Sequence, residues 1–83
     1  VFTLNGWADY QWFLETDKQA LKRINQLIRD TLRTPFEGLG KPEPLKNEFA
    51  GFWSRRITEE HRLVYQVKSD EIVIIMCRGH YER

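Results

Sequence analysis

Along this chain the apolar positions recur first at helical spacing and then in alternation. Trp7, Tyr10, Phe13 and Leu14 share one face of a helix, and Leu21, Ile24, Leu27, Ile28 and Leu32 mark the stripe of a second, longer one. Lys22, Arg23, Gln26, Arg29 and Asp30 fall on its opposite, polar face. Residues 1–4 read as a short strand, Asn5 as the cap of the first helix, and Thr16 with Gln19 as a capping box for the second. Thr34 before Pro35 ends that helix, because a residue preceding proline avoids the α region. Two helices so joined form an antiparallel hairpin whose stripes cover a sheet.

From residue 52 the pattern changes. Residues 52–57 and 62–67 are rich in aromatic and β-branched side chains and read as strands joined by the polar turn Thr58, Glu59, Glu60, His61. A turn at residues 68–71 leads into 72–78, apolar on both faces and therefore expected as the central, buried strand. Between helices and strands, residues 34–44 hold all three prolines with Gly38 and Gly40 and make a stiff loop, and 45–48 could add a brief strand. Helices first and consecutive strands afterwards predict an α+β fold: two N-terminal helices packed on a mainly antiparallel, twisted sheet of four to five strands, in one domain over 1–83.

Composition limits the rest. At 83 residues there is room for one core, and 41% hydrophobic with 30% charged residues is ordinary for a globular chain. A net charge of +1 does not announce a nucleic-acid binder, so such a function must rest on a local cluster. The single cysteine, Cys77, cannot close an internal disulfide and sits among apolar neighbours, which suggests a reducing compartment. No apolar run approaches the roughly 18 residues of a membrane span. A cytoplasmic location is expected, with no membrane association.

Candidate chemistry comes from arginines in strand patterns. Arg55, Arg56 and Arg62 interrupt apolar alternation, so at least one must face a covered or concave surface; Arg55 is expected to be a solvated edge residue. A guanidinium on a rigid strand clamps phosphate through two parallel hydrogen bonds. Pairing of the last two strands brings His80 and Tyr81 within about 10 Å of Arg62 along the sheet, so Arg56, Arg62, Arg78, His80 and Tyr81 converge on one end. Glu43, between Pro42 and Pro44, is either a solvated loop carboxylate or one held in a fixed orientation; His80 is either an acid or an idle residue near a fraying terminus. Cleavage of RNA by its own 2′-hydroxyl needs a base, an acid and fixed positive charge, and this set offers all three without metal or cofactor. His61 beside Glu59 and Glu60 lacks zinc-ligand spacing, and Cys77 lies in the most apolar strand.

With those residues identified, the chain resembles the YoeB-type toxins of bacterial type II toxin–antitoxin modules, within the RelE/ParE superfamily. The resemblance is carried by Glu15-Thr16-Asp17-Lys18, Arg33-Thr34-Pro35-Phe36-Glu37-Gly38, Gly40-Lys41-Pro42-Glu43-Pro44-Leu45-Lys46, the block from Gly51 through Trp53-Ser54-Arg55-Arg56-Ile57 and Arg62-Leu63-Val64-Tyr65, and terminal His80-Tyr81. It implies a microbial-RNase-like, RelE-type fold and a ribosome-dependent messenger endoribonuclease acting in the A site. By position Glu43 matches the family's general base, His80 its general acid, Arg62 its phosphate-stabilising arginine and Tyr81 its substrate-orienting tyrosine, while Lys46 and Arg56 fall where basic residues assist binding. The resemblance further implies a YefM-type antitoxin as partner, the ribosome and messenger RNA as targets, a homodimer, operator DNA contacted only through the antitoxin complex, and no metal. The competing expectation is a superfamily member that only binds, as a gyrase inhibitor or co-repressor; Glu43, Arg62 and His80 together argue against it.

Overall fold

Thr3, not Asn5, starts the first helix. In the computed structural model, which describes residues 1–79, the Thr3 hydroxyl accepts the Gly6 N–H at 3.0 Å and α1 runs Leu4–Thr16. Residues 1–4 are no strand: Phe2 makes one parallel bridge to Ile74. The capping box is also replaced. Thr16 stays helical with its hydroxyl on the Trp12 carbonyl, and Asp17 caps α2 (Lys18–Arg33) by accepting from the Ala20 N–H at 3.1 Å. One residue between helices forces the expected antiparallel hairpin, because an Asp cap can begin a new helix where the last one ends.

Four strands follow: β1 (Glu43–Pro44), β2 (Phe52–Arg56), β3 (Arg62–Lys68) and β4 (Glu71–Met76). They form one antiparallel sheet in the order β1-β2-β3-β4. The expected strand at 45–48 is replaced by a 3-10 turn, Asn47–Phe49. The expected central strand is displaced too: β3 is central and β4 lies at the end of the order. Its inner face is covered by α1, and its outer edge is closed by the first residues, since the Thr3 N–H bonds the Ile74 carbonyl at 2.9 Å and the Ile74 N–H bonds the Val1 carbonyl at 2.7 Å. Gly6 allows this approach, because a Cβ there would collide with the Ile74 carbonyl oxygen.

The core lies between the helices and one face of the sheet. Phe13, Ile24 and Leu27 from the helices meet Leu63, Tyr65, Ile72, Ile74 and Cys77. Each fully buried large apolar side chain contributes about 1.5–3 kcal/mol, so Leu27→Ala would cost roughly 2–5 kcal/mol with its cavity. Among the described residues no helix is long and apolar enough to cross a membrane. Among the described residues the core side chains of both helices pack on this one face of the sheet.

Candidate active site

Directly opposed residues of an antiparallel pair share a face, so the register decides which side chains meet. Trp53 opposes Tyr65, which opposes Ile74, and Arg55 opposes Leu63, all toward the core. On the face away from the helices Glu43 opposes Ser54, Ser54 opposes Val64, and Val64 opposes Met76; Glu43 is exposed, while Ser54 and Val64 are buried. Arg56 and Arg62 oppose each other on that same face. Glu43 stands about 7 Å along the sheet from the level of Arg56, two residues of strand rise. Lys46 is exposed three residues beyond Glu43, at the start of the 3-10 turn.

The turn between β2 and β3 prepares Arg62. Thr58 accepts the N–H groups of Glu60 and His61 on its hydroxyl, both at 3.2 Å, and so fixes the four-residue connection. Arg62 donates through Nη1 to the carbonyls of Thr58 at 2.6 Å, His61 at 3.1 Å and Glu59 at 3.2 Å. One nitrogen of the fork thus orients the guanidinium on the turn. Arg62 and Arg56 line an open cleft of about 470 Å³ with Arg23, Ile57, Thr58 and Glu59. Arg23, left on the polar face of α2 by sequence reading, is a third cation on this cleft, and only the packing of α2 beside the turn could reveal it.

Gly79 is brought to the same place. The Arg62 N–H donates to the Gly79 carbonyl at 2.9 Å, and the Gly79 N–H donates to His61 Nδ1 at 2.8 Å. His61 is therefore no idle turn residue: its ring meets Phe13 edge-on at 4.9 Å and holds Gly79 by an acceptor nitrogen. His80 and Tyr81 lie outside the described residues. Arg78 does not join the arginine pair; its guanidinium stacks over Trp12 of α1 at 3.8 Å. A guanidinium so placed gains from the ring's negative face.

Arg55 overturns the expectation of a solvated edge residue. It is wholly buried, and its Nη1 donates to Asp30 Oδ2 at 2.7 Å. Asp30, assigned by the helical pattern to the polar face, is buried with it. The Leu39 N–H first, and then the Arg55 guanidinium, hold the Asp30 carboxyl below its ordinary value. A cue was present: Arg55 alternates with core residues Trp53 and Ile57, and Asp30 follows Leu27 at helical spacing. Burial pushes the Tyr65 hydroxyl up, and pushes the Cys77 thiol up to about 12, which makes Cys77 unsuitable as a nucleophile. Among the described residues no three His, Cys, Asp or Glu side chains gather where a cation could sit.

Comparison with known proteins identifies the family. The family model for YoeB-like toxins of bacterial type II toxin–antitoxin systems matches residues 2–81. The chain belongs to that family. Toxin YoeB of Escherichia coli (strain K12) is 60% identical over 81 residues, covering 98% of this chain and 96% of the relative. The YoeB dimer of Staphylococcus aureus superposes with a TM-score of 0.91 at 44% identity, covering 98% of this chain and 94% of that one. A YoeB–YefM complex from the same organism superposes equally well, at 0.91 and 43% identity, over the same shares. This YoeB-like chain is thus a toxin of a type II toxin–antitoxin system on a RelE-like fold, with its arginine pair and Glu43 on the open face of the sheet.

Proposed function

We propose that the open face is the active site of a metal-independent endoribonuclease that cuts messenger RNA in the ribosomal A site. Glu43 takes the proton of a ribose 2′-hydroxyl, and the freed oxygen attacks the adjacent phosphorus. Arg62, assisted by Arg56, stabilises the crowded phosphorane through its fork. His80 donates a proton to the departing 5′-oxygen, leaving a 2′,3′-cyclic phosphate and a 5′-hydroxyl. Tyr81 orients the substrate, and Lys46 with Arg23 tracks flanking phosphates. The observation that carries this reading is the bond from the Arg62 N–H to the Gly79 carbonyl: it sets the residue before His80 beside the arginine pair, on the sheet that also holds Glu43.

Three cations on one cleft supply less phosphate-binding charge than free-RNA binders use, and this favours a substrate presented by the ribosome. The YoeB dimer and the YoeB–YefM complex of Staphylococcus aureus support a homodimer and a YefM-type antitoxin partner for this chain, and contact with operator DNA through the antitoxin complex belongs to the same proposal. Primer extension on a translated messenger after induction tests the reading. Discrete cuts within codons, absent with Arg62→Ala or His80→Ala proteins that still fold and bind antitoxin, are expected. Uncut messenger with damaged DNA would instead assign the chain to the gyrase-directed class.

A further inference from the structure

Residues 34–40 carry the chain from the end of α2 to the level of Arg56, and one buried side chain gathers them. Arg55 donates through Nη2 to the carbonyls of Thr34 at 2.6 Å and Glu37 at 3.0 Å. Through Nη1 it reaches the Leu39 carbonyl at 3.1 Å and Asp30 at 2.7 Å, and through Nε the Tyr65 hydroxyl at 3.1 Å. A guanidinium has five N–H donors, so these five acceptors use every one. Tyr65 passes its own proton to the Pro35 carbonyl at 2.8 Å, and Asp30 Oδ2 also accepts the Leu39 N–H at 2.9 Å.

Four loop carbonyls are thus tied to two core side chains, although a buried ion pair alone would need none of them. Beyond the hub the chain has little freedom before Glu43. The Gly40 carbonyl accepts the Arg56 N–H at 2.7 Å, and Gly40 holds φ +81, a conformation that suits glycine. Lys41 and Pro42 then lead to Glu43, which pairs with Ser54. Ser54, Arg55 and Arg56 are consecutive on β2. The buried side of that strand therefore anchors the loop whose far end the exposed side receives.

We propose that Arg55 is a positioning residue for the candidate base: by holding the carbonyls of Thr34, Glu37 and Leu39, it sets the Glu43 carboxylate at its working distance from Arg56 and Arg62. The inference rests on the reading of Glu43 as general base. Misplacement of a reacting group by about 1 Å can lower a rate roughly 10²-fold, which is the scale to expect.

Single-turnover cleavage on ribosomes programmed with a defined messenger tests it, using R55K, Y65F, E43Q and the doubles with E43Q. Lysine keeps a charge beside Asp30 but cannot span the separated carbonyls from one nitrogen. R55K should lower the saturating cleavage rate by roughly 10²-fold while leaving the half-saturating ribosome concentration within about twofold, and Y65F should show the same pattern less severely. In the E43Q background either change should add less than about twofold, because the group acted through is gone. A merely structural role would lower the rate by the same factor in both backgrounds, and that result, or wild-type rates for Y65F and R55K, overturns the inference alone. If R55K fails to fold, Y65F carries the same cycle. E43Q cutting at the wild-type rate would instead remove the base assignment, and the positioning role with it.

Discussion

Arg56 and Arg62 stand directly opposite each other on the open face of β2 and β3, a like-charge pair at a place where sheets ordinarily put attraction. Like charges directly across a ladder are destabilising, a cost that the proposed phosphate-binding role of this face would account for. Replacing Arg56 by threonine, which suits a strand, should stabilise the fold by about 0.2–1 kcal/mol while weakening cleavage. Urea midpoints and cleavage rates measured on the same preparations check both signs. A destabilised Arg56→Thr protein would mean that Arg56 has a structural partner.

The three cations on the cleft should appear in salt dependence. Each phosphate contact to single-stranded RNA contributes a slope of about 0.7 in log affinity against log salt. Arg23→Ala should flatten the slope for a short RNA oligonucleotide by about that amount. An unchanged slope would take Arg23 out of the binding surface.

Arg55 and Asp30 make a buried pair whose rupture is costly. Arg55→Ala strips one partner and frees four loop and side-chain acceptors besides Asp30, and should cost about 3–5 kcal/mol, a large part of the 5–15 kcal/mol expected for a domain. Acid titrates the same pair. A carboxyl lowered in the folded state contributes stability that is fully present above its ordinary value of 3.8 and is lost as pH falls through its lower folded value. Asp30→Asn should therefore be less stable than wild type at neutral pH, with the gap closing below pH 3.8; a constant gap would show that the charge is not what matters.

The Cys77 thiol, buried and pushed up to about 12, should resist thiol reagents at mildly alkaline pH and react at once when the chain is unfolded. The unfolded thiol ionises first as pH rises above 9.0, so its burial disfavours folding progressively from there toward about 12. Rapid labelling of the native protein would contradict the packing of α1 against β4.

The helices, the turn at residues 58–61 and the pairing of the last strands were legible because each rests on local signals: a stripe, an alternation, a polar break. The strand position of Arg62 was legible for the same reason, whereas Glu43, expected in a proline-rich loop, opens β1 instead. The caps were misread by one or two residues because Asn5 and Thr16 compete with Thr3 and Asp17, equally good acceptor oxygens nearby, and only the packing of α1 selects between them. Arg55 was misread for a deeper reason. Four of its five acceptors are three backbone carbonyls and a tyrosine hydroxyl contributed by residues 10 to 21 positions away, and a carbonyl leaves no mark on sequence. The place of β4 was misjudged because cover by a helix and a terminal segment looks, in composition, like cover by two strands.

The two prolines that flank Glu43 have one more effect. The Leu45 N–H points inward to the Phe52 carbonyl at 2.9 Å, so by alternation positions 42 and 44 are those whose nitrogens look outward from the border of the sheet. Both are proline and have no hydrogen to offer. A neighbouring polypeptide seeking to extend the ladder there finds a border without donors, so the rim beside the carboxylate is protected from being covered by an added strand.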